Sequence, residues 1–204
     1  MSIGTPHQVS AIAKPDKILK LDGISAESVE AHWGLYEGYV KKYNEIQERL
    51  AGADPGSANQ IFSDYRSYRA ALTFAIGGIK NHELYFSNLS ADGGSPSDAL
   101  AAQIEKDFGG QDALITELKA AGMAARGWAW VAFDWDWSRL DLYIGDAQDT
   151  FPVWNATPII GLDVYEHSYI RDFSTARPKY LEAFVANLDW SDVSARWERI
   201  AAAL

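Results

Sequence analysis

The chain has 204 residues, a formal net charge of −10 and no cysteine. Without cysteine it can form no disulfide, no thiolate metal site and no cysteine nucleophile. Its acidity argues against nucleic acid as the main partner, because no basic surface dominates. No stretch of the N-terminus has signal-peptide character, and no run approaches the roughly 20 apolar residues of a membrane span. We therefore expect a cytoplasmic protein without a membrane partner.

The N-terminal part predicts an irregular lead-in followed by a long helix. Proline and glycine interrupt residues 1–24. Ser25 is a suitable N-cap, and the amphipathic pattern that follows continues to about Leu50.

A second long helix is expected before the main break in the chain. Residues 53–56 form a loop signal, and the next helical pattern extends from about Ser57 to Leu89. The strongest linker signal follows at residues 90–96, which contain two glycines and a proline. We expect residues 1–90 to form an N-terminal helical hairpin domain.

The second half predicts a change from helices to strands and back. Two helices are expected at about 97–107 and 111–122, followed by three strands at about 127–133, 140–144 and 159–163. A further helix begins near Pro178 and continues to about 187, and Ser191 caps a last helix. The fold class is therefore α+β, with a C-terminal α/β domain over residues 91–204.

Three histidines and one aspartate are candidate metal ligands. His32 lies in the first long helix and His82 near the end of the second, and antiparallel packing would bring these helices together. Asp163 and His167 are four residues apart, so that either a strand end with a turn or one helix face would aim both at one ion. Three imidazoles and one carboxylate suit a first-row metal. Spacing alone does not establish the site, since a histidine in a helix is usually a partly buried polar residue.

The sequence around these residues resembles the manganese/iron superoxide dismutase family. Residues 163–169, D-V-Y-E-H-S-Y, are similar to the family motif D-x-W-E-H-x-Y. Other segments resemble family motifs in the same order: N-H-E-L-Y-F at 81–86, G-W-A-W at 127–130, R-P-K-Y-L at 177–181 and N-L-D-W at 187–190. The resemblance covers about residues 21–200.

The resemblance implies a fold and an activity. The fold would be a helical hairpin followed by a three-stranded antiparallel sheet with surrounding helices. The activity would be dismutation of two superoxide ions to O2 and H2O2 at a mononuclear centre, with His32, His82, Asp163 and His167 as metal ligands. Members of the family are homodimers or tetramers, and Glu166 matches the glutamate that reaches the ligand histidine of the partner subunit.

The resemblance also bears on the choice of metal. In the family a glutamine hydrogen-bonds the solvent ligand of the metal. Iron-type members often supply it four residues before the second histidine, whereas manganese-type members have glycine there and supply it from the hairpin after the G-W-x-W strand. This chain has Gly78 and Gln148. The arrangement resembles the manganese type, and iron is the alternative.

Further roles follow from the same resemblance. Tyr39 would relay protons and gate the entry, and an aromatic wall around the metal would exclude bulk water; it consists of Trp128, Trp130, Tyr165 and Phe86. Because the net charge of −10 repels an anionic substrate, a local basic funnel is needed. Its candidates are Arg177, Lys41, Lys42 and Lys80.

The chain departs from the family pattern in its first helix. The family has H-x3-H-H-x2-Y-V, whereas the segment from His32 to Val40 lacks the paired histidines and is one residue shorter. Tyr39 lies on the same helical face as His32, but Tyr36 is a rival for the gateway role. Arg126 occupies a position that is normally small, and nothing in the sequence explains it.

Two other functions remain open from the sequence. The altered first helix motivates a family member that binds metal but has little dismutase activity and acts as a structural or binding protein. A mononuclear non-haem iron oxygenase would use two histidines and one carboxylate. The three candidate histidines argue against that second alternative.

Overall fold

The computed structural model describes residues 5–150 and 154–204. The α-helices are α1 (Ala26–Ala51), α2 (Asp64–Ser87), α3 (Asp98–Phe108), α4 (Gln111–Ala124), α5 (Ile170–Phe173), α6 (Arg177–Ala186) and α7 (Trp190–Ala201). The strands are β1 (Trp128–Asp134), β2 (Arg139–Gly145) and β3 (Ala156–Asp163). The predicted α+β order, a helical hairpin followed by a three-stranded antiparallel sheet with helices, is confirmed. None of the described helices is long and apolar enough to cross a membrane.

The hairpin begins as predicted but its second helix is shorter than expected. The Ser25 side chain accepts a hydrogen bond from the backbone N–H of Ser28, as a serine N-cap should. The predicted start of the second helix near Ser57 was wrong, because α2 begins only at Asp64. In the intervening loop Asn59 accepts backbone hydrogen bonds from the two residues before Ser63, at 2.8 and 3.3 Å. This local side-chain bonding competes with helix formation.

The sheet brings one end of β1 next to the end of β3. β1 is the central strand, it is buried along its whole length, and both neighbours run antiparallel to it. Trp128 at its start lies opposite Gly145 of β2 and Asp163 of β3. Asp163 is therefore held at the C-terminal end of β3, inside the core.

Buried Asn88 joins the helical hairpin to the sheet and to the C-terminal helix. Its amide nitrogen donates to the carbonyl of Ile159 at 3.1 Å and to the carboxylate of Asp192 at 2.9 Å. Its amide oxygen accepts from the backbone N–H of Gly161 at 2.9 Å. These bonds fix where the end of α2 lies on β3, and with it the position of His82.

The last helix begins slightly earlier than the sequence indicated, at Trp190, whereas a Ser191 cap would place its start after residue 191. Its cap is Asp189, whose carboxylate accepts from the backbone N–H groups of Ser191 and Asp192 at 3.0 and 3.2 Å. The expected Ser191 cap was wrong because Asp189, two residues before it, already satisfies these donors.

Replacement of Asn88 by alanine should destabilise the fold. The change leaves the buried Ile159 carbonyl and Gly161 N–H without their partner, which we expect to cost about 3 kcal/mol. The measurement is urea unfolding of the metal-free protein at fixed concentration. Asn44→Ala is the control, since among the described residues the Asn44 side chain bonds the main chain of Val9 in the N-terminal segment. Equal losses for both variants would contradict the role assigned to Asn88.

Candidate metal centre

The four candidate ligands meet at one point. His32, His82, Asp163 and His167 each offer one nitrogen or oxygen atom, and these atoms all lie within 4.8 Å of one another. The Oδ2 atom of Asp163 is 3.2 Å from Nε2 of His32, 3.1 Å from Nε2 of His167 and 3.7 Å from Nε2 of His82. Three imidazole nitrogens therefore converge on a single carboxylate oxygen.

Four separate elements supply these side chains. The antiparallel packing of α1 and α2 places the His32 and His82 rings edge to face, with their centroids 4.9 Å apart. Asp163 is the last residue of β3, and His167 lies in a short 3-10 helix, Glu166–Ser168. Of the two alternatives left open for this pair, the structure has the strand end followed by a turn.

Hydrogen bonds at the rear of two ligands determine which atoms face the centre. Nδ1 of His82 lies 2.5 Å from the carbonyl oxygen of Gly78. Because a carbonyl can only accept, Nδ1 carries the proton and Nε2 keeps its lone pair. The Oδ1 atom of Asp163 accepts from the backbone N–H of Tyr165 at 2.9 Å, which leaves Oδ2 for the centre.

The surroundings of the buried Nε2 atom of His82 indicate whether a metal ion would fit the site. Among the described residues it has no hydrogen-bond partner, although it is completely buried. A buried lone pair without a partner costs free energy, and a cation at the convergence point would provide the partner. The donor set of three nitrogens and one oxygen is one that manganese and iron accept.

Burial and pairing fix the charge of the site. Burial lowers the pKa of His82 to about 3, and the neighbouring His32 adds to the effect. Burial also lowers the pKa of His32. For Asp163 burial raises the pKa, but the hydrogen bonds with His167 and His32 outweigh it and hold the pKa below its usual range. At neutral pH the two fully buried imidazoles are neutral and the carboxylate is anionic, which is the protonation that a metal ligand needs.

Aromatic rings pack against each imidazole. Phe86 lies 5.0 Å from the His32 ring, Trp128 lies 5.4 Å from His82, and Tyr165 stacks on His167 at 5.3 Å. Trp130 stacks in turn on Trp128. Three of the four expected aromatic residues therefore pack directly on proposed ligands, and Trp130 lies behind Trp128.

Of the two candidate gateway tyrosines, Tyr39 lies beside the ligands. Its half-buried ring is 5.4 Å from the ring of His82. Tyr36 is completely buried, and its hydroxyl donates to Glu83 and accepts from the backbone N–H of Ile12, both at 2.8 Å. The hydroxyl of Tyr36 is thus fully engaged elsewhere.

Gln148 is buried and oriented by the residues around it. Its amide oxygen accepts from the indole N–H of Trp128 at 3.1 Å, so the amide NH2 group points the other way. Burial raises the pKa of Tyr39, Asp163 adds to this, and a hydrogen bond with Gln148 acts in the opposite direction.

Asn81, to which the sequence assigned no role, donates to the main-chain carbonyl of Gln148 at 3.2 Å.

Two glycines of α2 let these groups approach. A Cβ atom at Gly77 would lie 1.9 Å from the carbonyl oxygen of Gln148, and one at Gly78 would lie 2.5 Å from the ring of Tyr39. A larger residue at either position would force the loop or the tyrosine away from the centre. The Gly77-Gly78 pair in the sequence was the signal for this contact.

The remaining candidates lie outside the ligand cluster. Glu166 is exposed and lines a concave surface of about 560 Å3 beside His167, with Arg126 and Arg177 at its border. Arg126 is 83% exposed and only 3.4 Å from a carboxylate oxygen of Asp146, and nothing in the structure explains its presence.

The basic residues proposed for a funnel differ in their surroundings. Arg177 donates to the carbonyl of Ala125 at 2.9 Å and lies over the ring of Tyr169. Lys42 forms a surface ion pair with Glu45 at 2.6 Å, and Lys41 is exposed. Lys80 lines a different cavity, beside Trp130.

Comparison with known families and proteins agrees with this geometry. The model for the alpha-hairpin domain of iron/manganese superoxide dismutases matches residues 21–90, and the model for their C-terminal domain matches residues 96–196. A protein of Aquifex pyrophilus named as an iron superoxide dismutase is 46% identical over 184 residues, which cover 88% of this chain and 86% of the relative. A manganese superoxide dismutase of Haloferax volcanii is 36% identical over 165 residues, 80% of this chain and 81% of the relative.

A more distant organism provides the same result. A protein of Caenorhabditis elegans named as a mitochondrial manganese superoxide dismutase is 32% identical over 180 residues, which cover 85% of this chain and 79% of the relative. Both metals are represented among the relatives. With two matching domain models in the expected order, the chain belongs to the iron/manganese superoxide dismutase family.

Proposed function

We propose that the chain catalyses the reaction of two superoxide ions and two protons to give O2 and H2O2. The proposed ligands of its single manganese or iron ion are His32, His82, Asp163 and His167. The observation that carries the assignment is the buried, unpartnered Nε2 of His82, which faces a carboxylate oxygen and two further imidazole nitrogens.

The ligands prepare the site for one-electron chemistry. The chemistry that bound manganese or iron supplies is exchange of one electron between a trivalent and a divalent state. The anionic Asp163 favours the higher charge, while His32 and His82, held neutral by burial, add none of their own. The aromatic rings around them keep the local dielectric constant low, which strengthens the electrostatic attraction between the carboxylate and a cation.

Tyr39 and Gln148 are proposed to handle the protons. Formation of H2O2 from superoxide consumes two protons, which must reach a site that aromatic rings largely enclose. The half-buried Tyr39 lies beside the proposed ligand His82, and its hydroxyl is proposed to bond the amide of the buried Gln148. Trp128 holds the amide in the required orientation. Because burial raises the pKa of Tyr39, the phenol stays protonated and able to donate at neutral pH.

Manganese is the proposed metal, with iron as the alternative. The glutamine beside the proton path comes from position 148 and not from α2, where the ring of Tyr39 fills the space at Gly78. The iron and manganese relatives leave the choice open. Activity of the protein loaded separately with each metal would decide it.

We propose a homodimer or tetramer in which Glu166 reaches the partner subunit. Glu166 is exposed next to His167, whose ring is partly accessible. Two exposed apolar residues suit a covered surface: Met123 lines the same concave surface as Glu166, and Ile170 follows the turn closely. A partner at this surface would complete the enclosure of the His167 ring.

The weakly active alternative rests on the altered first helix. The exposed Leu35 occupies the helical position between His32 and Tyr39, so that α1 offers no imidazole there. Tyr39 nevertheless lies beside His82, and we therefore favour an active enzyme. A rate no better than that of aqueous manganese would favour the alternative.

Two further expectations stay proposals. Limited proteolysis tests the division into domains 1–90 and 91–204, and cleavage within residues 90–96 would support it. Cell fractionation tests the cytoplasmic location.

The first functional test replaces a proposed ligand. His167→Ala should abolish both stoichiometric metal content and dismutase activity, because the centre loses one nitrogen and its packing against Tyr165. Elemental analysis and a superoxide-consumption assay provide the measurements. His7→Ala, which changes an exposed histidine bonded to Tyr43, should retain both. Full metal and full rate in His167→Ala would refute the ligand assignment.

The second test separates the proton path from metal binding. Gln148→Leu should keep the metal but lower the dismutase rate about 10- to 100-fold, which is the usual cost of losing a group that supports a metal centre. Pulse radiolysis of protein with measured metal content gives the rate. The exposed Gln60 provides a matched control, Gln60→Leu, for which we expect the wild-type rate. An unchanged rate in Gln148→Leu would exclude the proposed role.

The third test concerns assembly. Light scattering should give at least twice the chain mass of 22.5 kDa for the wild-type protein. Glu166→Lys should shift the protein toward the monomer, since it reverses a charge at the proposed contact. Glu117→Lys, a similar change on α4, should leave the mass unaltered. A wild-type monomer at micromolar concentration would contradict the proposal.

A further inference from the structure

Two hydroxyl groups lie within hydrogen-bond distance of the main-chain carbonyl oxygen of Asp163. The phenol oxygen of Tyr180 lies 2.7 Å from it and the hydroxyl of Ser168 lies 3.1 Å from it. The Ser168 hydroxyl is closer to another acceptor, the carbonyl of Tyr165, at 2.7 Å. Because a hydroxyl has one proton to donate, Tyr180 is the main donor to Asp163.

A second buried tyrosine completes a hydrogen-bond chain. The phenol oxygens of Tyr180 and Tyr85 are 3.3 Å apart. Since the proton of Tyr180 is directed to Asp163, its oxygen accepts from Tyr85 at this contact. Tyr85 also packs on the imidazole of His32, with the ring centroids 4.9 Å apart. The chain thus links the ring packed on one proposed ligand to the backbone of another.

All the members of this chain are inside the core. Tyr180 and Asp163 are 0% exposed and Tyr85 is 1% exposed. In this environment a hydrogen bond is stronger than in water, and an unmade one is costly. Core packing alone requires the Tyr180 ring, which stacks on Tyr169, but it does not require the hydroxyl.

We infer that Tyr180 is a positioning residue for the metal centre, whose hydroxyl fixes the Asp163 peptide and so the direction of its carboxylate, with Tyr85 holding that hydroxyl in place. The inference rests on the proposed function, because it takes Asp163 as a metal ligand. Rotation of the Asp163 peptide would move Oδ2 relative to the three imidazole nitrogens that surround it at 3.1 to 3.7 Å.

The decisive variant is Tyr180→Phe in the full chain. It keeps the ring and removes only the hydroxyl. We expect manganese to dissociate about 10 to 100 times faster into excess chelator, the usual effect of losing a supporting hydrogen bond. We also expect a changed electron paramagnetic resonance spectrum of the Mn(II)-loaded protein. Wild-type dissociation and an unchanged spectrum would overturn the inference.

Two controls separate positioning from general destabilisation. Tyr143→Phe removes a phenol bond of 3.3 Å to Asp134 at the opposite end of the sheet. It should leave the manganese dissociation rate unchanged, whatever it does to urea unfolding. If Tyr143→Phe and Tyr180→Phe accelerate dissociation equally, the role of Tyr180 is structural only and the inference fails.

Two more variants rank the donors. Ser168→Ala should have a smaller effect than Tyr180→Phe, because the serine proton goes mainly to Tyr165. Tyr85→Phe should also have a smaller effect in the same direction. A larger effect for Ser168→Ala would overturn the assignment of Tyr180 as the main donor.

Failure of the proposed function has a different signature. If His167→Ala retains stoichiometric manganese, the ligand set itself is wrong and the inference about Tyr180 falls with it. If His167→Ala loses manganese and Tyr180→Phe behaves as wild type, only the positioning role is wrong.

Discussion

The structure depends on keeping one ionised carboxylate inside a protein core next to neutral imidazoles. Asp163 has no solvent access, so its charge has to be balanced by partners that the fold places there. His32 and His167 approach Oδ2 closely, and Tyr165 supplies an N–H to Oδ1. Within the described part of the chain, Nε2 of His82 has no hydrogen-bond partner, and a cation at the proposed site would provide one. Metal binding at the proposed site would therefore offset the cost of burying these groups and couple folding to metal binding.

The same constraint explains why α2, β3 and the loop that carries Gln148 must pack closely at this point. His82 can reach the centre only if α2 is fixed on β3, which Asn88 ensures through its bonds to Ile159 and Gly161. The loop with Gln148 can approach only because α2 has glycine at position 77, where a Cβ would meet a carbonyl at 1.9 Å. Close packing of this kind transmits small displacements, so that groups without direct contact to the four proposed ligands can still shift them.

The sequence was informative where a feature is local and less so where distant segments meet. The Ser25 cap and the order of the elements follow from local patterns, and these expectations were confirmed. The start of α2 and the cap of α7 were missed because Asn59 and Asp189 bond nearby backbone groups, which periodicity does not reveal. The sequence alone could not assign a role to Asn81, since its contact is with a loop 67 positions away. Such a contact exists only once the chain has folded.

The short segment from Asp163 to Ser168 shows how one turn can serve several needs at once. A strand that ends at Asp163 and turns directly into a 3-10 helix points successive side chains in different directions. Asp163 and His167 face inward, Glu166 faces solvent, and Ser168 returns to the carbonyl groups behind it. A longer or more regular helix would align residues four apart on one face but would lose the N–H that Tyr165 gives to the carboxylate. The compact turn therefore combines proposed metal ligation, ligand orientation and the proposed subunit contact within one stretch of chain. A change that alters one of these three features should affect the other two.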